Sequence, residues 1–117
     1  MANTISKDGT SIAYNKTGKG PAIILVNGAL AHRNLYGEKD LAEKLAKNYT
    51  VIYYDRRGRG ESADTKPYSA QKEIEDIEAL VEEAGGSAYL FGSSSGAALS
   101  LLAAEQLGPG KILKLAM

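Results

Sequence analysis

Three consecutive serines between two glycines, Gly92-Ser93-Ser94-Ser95-Gly96, are the residues of this chain best suited to covalent chemistry. The spacing fits G-x-S-x-G, whose physical content is a sharp strand-to-helix turn. Such a turn puts the middle serine in strained backbone geometry and lifts its hydroxyl above a sheet edge. Gly92 and Gly96 keep Cβ atoms out of the crowded turn. A helix starting just after Ser94 would aim free backbone N–H groups, and the positive end of its dipole, at the reaction centre, where they favour a developing oxyanion. In this reading Ser94 is the nucleophile. Read alone, the same string also describes a flexible linker. Its flanks weigh against a linker: Tyr89, Leu90 and Phe91 precede it, and Ala97, Ala98, Leu99, Leu101, Leu102, Ala103, Ala104 and Leu107 follow it.

The elements that must position this turn are legible from the start of the chain. Residues 4–6 and 11–17 flank Lys7-Asp8-Gly9-Thr10, and Asp8-Gly9 is a two-residue turn signal, so the chain opens as an antiparallel hairpin. After the turn Gly18-Lys19-Gly20-Pro21, residues 22–26 (AIILV) form a continuous apolar run of the kind buried on both faces of a parallel sheet. Asn27-Gly28-Ala29 leaves that strand at its carboxyl end, where open α/β sheets meet ligands, and Gly28 lets the backbone come close to a substrate. Residues 35–47 carry Leu41, Ala42, Leu45 and Ala46 at helical spacing, and residues 49–54 return to strand composition. Tyr53 and Tyr54 then point to opposite faces of their strand.

The polar loop DRRGRGES over residues 55–62 leads to a helix capped by Ser69, with Ile74, Ile77, Leu80, Val81 and Ala84 on its apolar face and Gly85-Gly86 at its end. Asp55 is read as a loop-positioning residue, and Arg56, Arg57 and Arg59 as loop-fixing or solvated charges. The serine turn and its helix follow, closed by Gly108-Pro109-Gly110, and residues 112–117 form a last strand. Strand and helix alternate after the hairpin. That pattern predicts an α/β fold: a three-layer αβα sandwich on a mostly parallel sheet, opened by the antiparallel hairpin. Right-handed crossovers place the Asn27, Asp55 and Ser94 loops at one edge of the sheet.

Composition narrows the function classes. With 117 residues, 44% of them hydrophobic, residues 1–117 are expected to form a single domain with a core of its own. Fourteen basic and fourteen acidic residues are interspersed, which leaves no electrostatic footprint for nucleic acid or an anionic membrane. Cysteine is absent, excluding disulfides, thiolate metal sites and cysteine catalysis. No metal or other cofactor is expected. The polar N-terminus lacks the apolar centre of a signal peptide, and no apolar run reaches membrane-spanning length, so the expected location is cytoplasmic.

In their order and spacing, VNGALAHR at residues 26–33, DRRGRGES at 55–62 and GSSSG at 92–96 make the chain resemble the α/β-hydrolase superfamily, of which it matches the N-terminal half. The resemblance implies a serine hydrolase, esterase-like, with Ser94 as nucleophile and an oxyanion hole made by the backbone N–H groups of Ala29 and Ser95. It leaves Asn27, Gly28, Asp55, Gly92 and Gly96 to shape the site. Many relatives carry His before the glycine where this chain has Asn27. Because the oxyanion donor is a backbone group, the change affects loop hydrogen bonding more than mechanism. A serine at the elbow argues against the haloalkane dehalogenase and epoxide hydrolase branches, which use aspartate there. The implied partner is a small-molecule acyl substrate, with ester, thioester, amide and lactone substrates left open, and C–C bond hydrolysis beside them.

The superfamily orders its triad as Ser, then Asp or Glu, then His. Beyond Ser94 this sequence holds no Asp, no His and one acid, Glu105, which falls on a helix as a solvated residue rather than a triad acid. His32, the chain's one histidine, lies upstream in the Asn27 loop and is read as a loop or mouth residue rather than the base. Three explanations fit: a truncated product, one partner of a split or swapped assembly, or a half-fold put to another use. The first is the simplest and predicts an open edge at residues 111–117 and uncovered apolar surface, hence self-association, whereas the second implies a complementary C-terminal half as partner.

Two other classes share some of these features. Gly58-x-Gly60-x-x-Ala63 loosely matches the dinucleotide fingerprint, but Asp64, Thr65, Lys66 and Pro67 stand where that fingerprint opens a helix. The non-enzymatic alternative is a flavodoxin-like binding or assembly module in which GSSSG merely makes a tight turn.

Overall fold

The hairpin that opens the chain pairs β1 (Ala2–Ile5) with β2 (Ser11–Gly18) in a register that sets Ile5 opposite Ser11. In the computed structural model, which describes residues 2–27, 38–58, 61–66, 69–93 and 95–116 and omits the side chains of Glu38 and Lys39, its turn is one residue longer than Asp8-Gly9 alone implies. The Gly9 N–H donates to Ser6 O and the Ser6 N–H to Thr10 O, both at 2.9 Å, so Lys7, Asp8 and Gly9 form a three-residue loop. Gly9 takes φ of 89°, the left-handed geometry that ends a type I turn in a G1 bulge. The dipeptide signal located the turn but not its length, because Asp-Gly serves both loop types.

Among the described residues six strands make one sheet in the order β1-β2-β4-β3-β5-β6. The later strands are β3 (Ala22–Val26), β4 (Thr50–Tyr54), β5 (Ala88–Gly92) and β6 (Ile112–Ala116). The β1–β2 and β2–β4 pairings are antiparallel, whereas β4–β3, β3–β5 and β5–β6 are parallel. The helices among the described residues are α1 (Glu38–Leu45), α2 (Ala70–Glu83) and α3 (Ser95–Leu107). The expected helix over residues 35–47 is thus observed from Glu38, and residues 28–37 lie outside the described set.

The pleat sends alternate residues to opposite faces, and that alternation divides the core in two. Ile12, Ile24, Val26, Ile52, Tyr54 and Leu90 face α2 and α3, where Ile74, Ile77, Leu80, Val81, Leu99 and Ala103 meet them. Ile23, Leu25, Val51 and Tyr53 face the other way and pack with Ala42 of α1. Helices therefore cover both faces of the sheet, giving the three-layer arrangement, and Tyr53 and Tyr54 divide between the two cores. Ser69 caps α2 through its Oγ, which accepts the Lys72 N–H at 3.2 Å. β6 is an edge strand, and Leu113 on it, with Leu101 and Leu102 on α3, is exposed.

A partly buried contact ties the hairpin to α2: the Tyr14 hydroxyl donates to Glu83 Oε2 at 2.7 Å. The carboxylate stabilises the protonated phenol, as does burial, and together they push the Tyr14 pKa up to about 12. An unfolded tyrosine loses its proton near pH 10. The contribution of this group to stability is therefore complete below pH 10 and lost as the pH rises through about 12. Tyr14→Phe is expected to cost about 1 kcal/mol near neutrality, with the gap to the parent closing in urea melts run at increasingly alkaline pH.

Candidate active site

Because β3, β4 and β5 run parallel with Leu25 opposite Tyr53 and Val26 opposite Gly92, their carboxyl ends lie level with one another. Asn27, Asp55 and Ser93 each leave the sheet at that edge. Ser93 N–H donates back to Val26 O at 3.1 Å, and Gly96 N–H donates to Ser93 O at 2.9 Å, closing a turn across positions 93–96 from which α3 starts at Ser95. Ser94 lies outside the described residues, as do Gly28, Ala29, His32 and Arg59. The two serines beside it, Ser93 and Ser95, are exposed.

The glycines of the turn are dictated by contact. A Cβ on Gly96 would fall on the main-chain oxygen of Val26 and lie 2.5 Å from that of Asn27. One on Gly92 would come within 2.6 Å of Gly96 O and 2.7 Å of the Ala97 Cα. The first turn of α3 is thereby pressed against the end of β3, a close approach that only residues without side chains permit. This brings the N-terminus of α3, with its partial positive charge, to the edge where the Asn27 loop departs.

The loop after β4 is built from buried charge. Asp55, Arg56 and Arg57 are each no more than 4% exposed. Asp55 Oδ2 accepts the Glu61 N–H at 2.9 Å, and its main-chain oxygen accepts Ser62 Oγ–H at 2.5 Å, so this aspartate folds the loop on itself. Gly58 N–H donates to Ala63 O at 2.9 Å in the same closed loop, and the next helix among the described residues starts at Ala70, unlike the strand-to-helix turn of a dinucleotide site.

Arg56 makes a bidentate pair with Glu73, Nε to Oε1 and Nη2 to Oε2, both at 2.7 Å. Arg57 does the same with Asp76, at 2.9 Å from Nε and 2.7 Å from Nη2, and its Nη1 reaches Asp8 Oδ2 at 2.8 Å. The hydrogen bond from Arg57, helped by the Thr10 N–H, holds the Asp8 carboxyl far below the ordinary carboxylate range. Asp76 and Asp8 in turn push the Arg57 pKa upward, so the guanidinium stays charged.

Of the two readings of these arginines in the sequence, the loop-fixing one describes Arg56 and Arg57. Glu73 and Asp76 went unnoticed in the sequence, although they fall within the stripe that carries Ile74, Ile77 and Leu80. A carboxylate inside an apolar stripe is the mark of a buried ion pair, and two neighbouring arginines upstream were the partners to look for.

Asn27 is 3% exposed; its Nδ2 lies 3.4 Å from Tyr54 O, and its Oδ1 has no hydrogen-bond partner among the described residues. Glu105 sits exposed on α3, in a groove of about 300 Å³ with Ile74, Leu102 and Gln106. That groove is lined by α2 and α3 rather than by the three loops. Among the described residues no cluster of His, Cys, Asp or Glu is arranged to hold a metal ion, and no helix is long and apolar enough to cross a membrane.

Comparison with known proteins bears directly on this arrangement. The model of the alpha/beta hydrolase family matches residues 23–116, the stretch that contains all three loops. The chain belongs to the alpha/beta hydrolase family. An uncharacterized hydrolase of Bacillus subtilis strain 168, YraK, is 35% identical over 102 residues, which cover 84% of this chain and 37% of that protein. Among solved structures, an alpha/beta hydrolase from Sphaerobacter thermophilus is 52% identical with a TM-score of 0.91, covering 97% of this chain and 43% of its own. The esterase RhEst1 from Rhodococcus is 29% identical with a TM-score of 0.86 at the same coverage. The chain thus spans less than half the length of these three proteins.

Proposed function

We propose that this chain carries the nucleophile and oxyanion hole of an esterase-like serine hydrolase acting on small acyl substrates, with Ser94 attacking the carbonyl carbon. The observation that carries the reading is the backbone packing of Gly96 on Val26 and Asn27, which seats G-x-S-x-G where β5 turns into α3. In this scheme the substrate carbonyl oxygen becomes an oxyanion held by the N–H groups of Ala29 and Ser95, and the α3 dipole adds to their effect. Membership of the hydrolase family, with an esterase among the similar structures, favours this reading over a flavodoxin-like module.

The proton on Ser94 needs an acceptor. Downstream of Ser94 the sequence offers only Glu105, exposed on α3, so in this proposal the acid and base come from a complementary C-terminal segment docked along β6. Until such a partner is supplied, the serine is weakly nucleophilic. Loss of a triad member costs up to about a million-fold in turnover, and roughly a thousand-fold over water persists from binding and oxyanion stabilisation. The proposed setting is the cytoplasm. A fluorophosphonate probe tests the reading: slow labelling of the folded chain, abolished by Ser94→Ala, is expected. A folded chain that takes no label, or Ser94→Ala labelled like the parent, contradicts it.

A further inference from the structure

The three loops of the site meet at one guanidinium. While Nε and Nη2 of Arg56 are held by Glu73, its Nη1 donates to the main-chain oxygen of Asn27 at 3.2 Å and to Ser95 Oγ at 3.0 Å. Arg56 is 4% exposed and Glu73 1%. A buried ion pair is a poor way to add stability, because the desolvation cost offsets most of the attraction and an apolar pair of equal volume does as well. What a bidentate pair adds is direction, since the planar fork can point its remaining edge only one way. Here that edge spans the gap between the Asn27 loop and the first residue of α3.

Those two segments bear the proposed oxyanion donors, Ala29 two residues past Asn27, and Ser95 itself. We propose that Arg56, anchored by Glu73, is a positioning residue that sets the spacing between Asn27, whose loop carries one proposed oxyanion donor, and Ser95, which is the other. The proposal rests on the serine-hydrolase reading. It assigns Arg56 no contact with substrate: the side chain acts through the Asn27 carbonyl and the Ser95 hydroxyl. A lysine at this position keeps the charge but, as a point donor, cannot hold a carboxylate in two places and bridge two acceptors as well.

The rate of covalent labelling reads this spacing directly. In that reaction Ser94 Oγ bonds to phosphorus, fluoride leaves, the hydroxyl proton passes to water, and the phosphoryl oxygen occupies the oxyanion hole. Labelling rate constants and half-saturating probe concentrations are to be compared for the parent, Arg56→Lys, Arg56→Met with Glu73→Leu, and Ser95→Ala, with melting followed by circular dichroism. The expected result is a rate constant lower by about 10- to 100-fold in the first two, the size of effect a misplaced reacting group produces. Ser95→Ala falls between these and the parent, half-saturation is little changed, and the double variant melts close to the parent.

A double variant that folds and labels at the parental rate overturns the proposal. Should the double variant not fold, Ser95→Ala decides, because it removes one contact from an exposed side chain, and an unchanged rate there overturns the proposal equally. A folded parent that is never labelled at Ser94 sinks the hydrolase reading and this proposal together. A labelled parent with equally reactive variants sinks this proposal alone.

Discussion

Gly96→Ala is expected to destabilise the domain by about 3 kcal/mol or more, a loss that core overpacking and backbone strain reach only at special positions. The added methyl would lie on the oxygens of Val26 and Asn27, which are main chain at the end of β3 and cannot rotate away. β3 is hydrogen-bonded to β4 on one side and β5 on the other, so moving it disturbs both. Domains of this size have about 5–15 kcal/mol in total, and the variant should therefore show a large fall in its urea midpoint. Gly110→Ala is the control: a methyl there meets open space, and the expected change is within about 0.5 kcal/mol. Equal midpoints for Gly96→Ala and the parent would mean that α3 does not start against β3.

Arg57→Met carries the second large expected effect, a loss of about 3–5 kcal/mol, because it leaves Asp76 buried at 1% exposure with its bidentate partner removed. Combining it with Asp76→Leu removes both charges and should restore most of the loss, since a buried pair is worth little against an apolar pair of similar volume. Asp8 behaves differently, being partly open to water at 19% side-chain exposure. Its folded pKa is depressed, so its contribution is complete above the unfolded value near 4 and is lost as the pH falls below it. Acid titration of the parent should therefore lose stability below about pH 4 more steeply than Asp8→Asn does. If the double variant is as unstable as Arg57→Met alone, the cost lies in packing around the guanidinium rather than in the orphaned charge.

Much of the fold was readable in the residues because burial leaves periodic traces. AIILV reads as a strand covered on both faces and the stripe from Ile74 to Val81 as a helix covered on one, and both are observed. What periodicity cannot carry is pairing between distant charges. The loop DRRGRGES reads as polar and is in fact buried at Arg56 and Arg57, because their partners Glu73, Asp76 and Asp8 come from two other parts of the chain that the sequence does not place beside it. The hairpin turn shows the same limit on a smaller scale, since Asp8-Gly9 is compatible with two loop lengths and only the Ser6–Thr10 bonding chooses between them. At the site, glycine spacing announced the turn between β5 and α3, whereas the role of Arg56 as the group joining Asn27 and Ser95 needed coordinates.

The central claim is chemical: one serine of three is the nucleophile. Peptide mapping of the folded chain after fluorophosphonate treatment tests it most directly, because Ser93, Ser94 and Ser95 are chemically alike and differ only in where the turn puts them. The account predicts an adduct on Ser94, with Ser93 and Ser95 unmodified. An adduct shared among the three serines, or one that persists in Ser94→Ala, would contradict it.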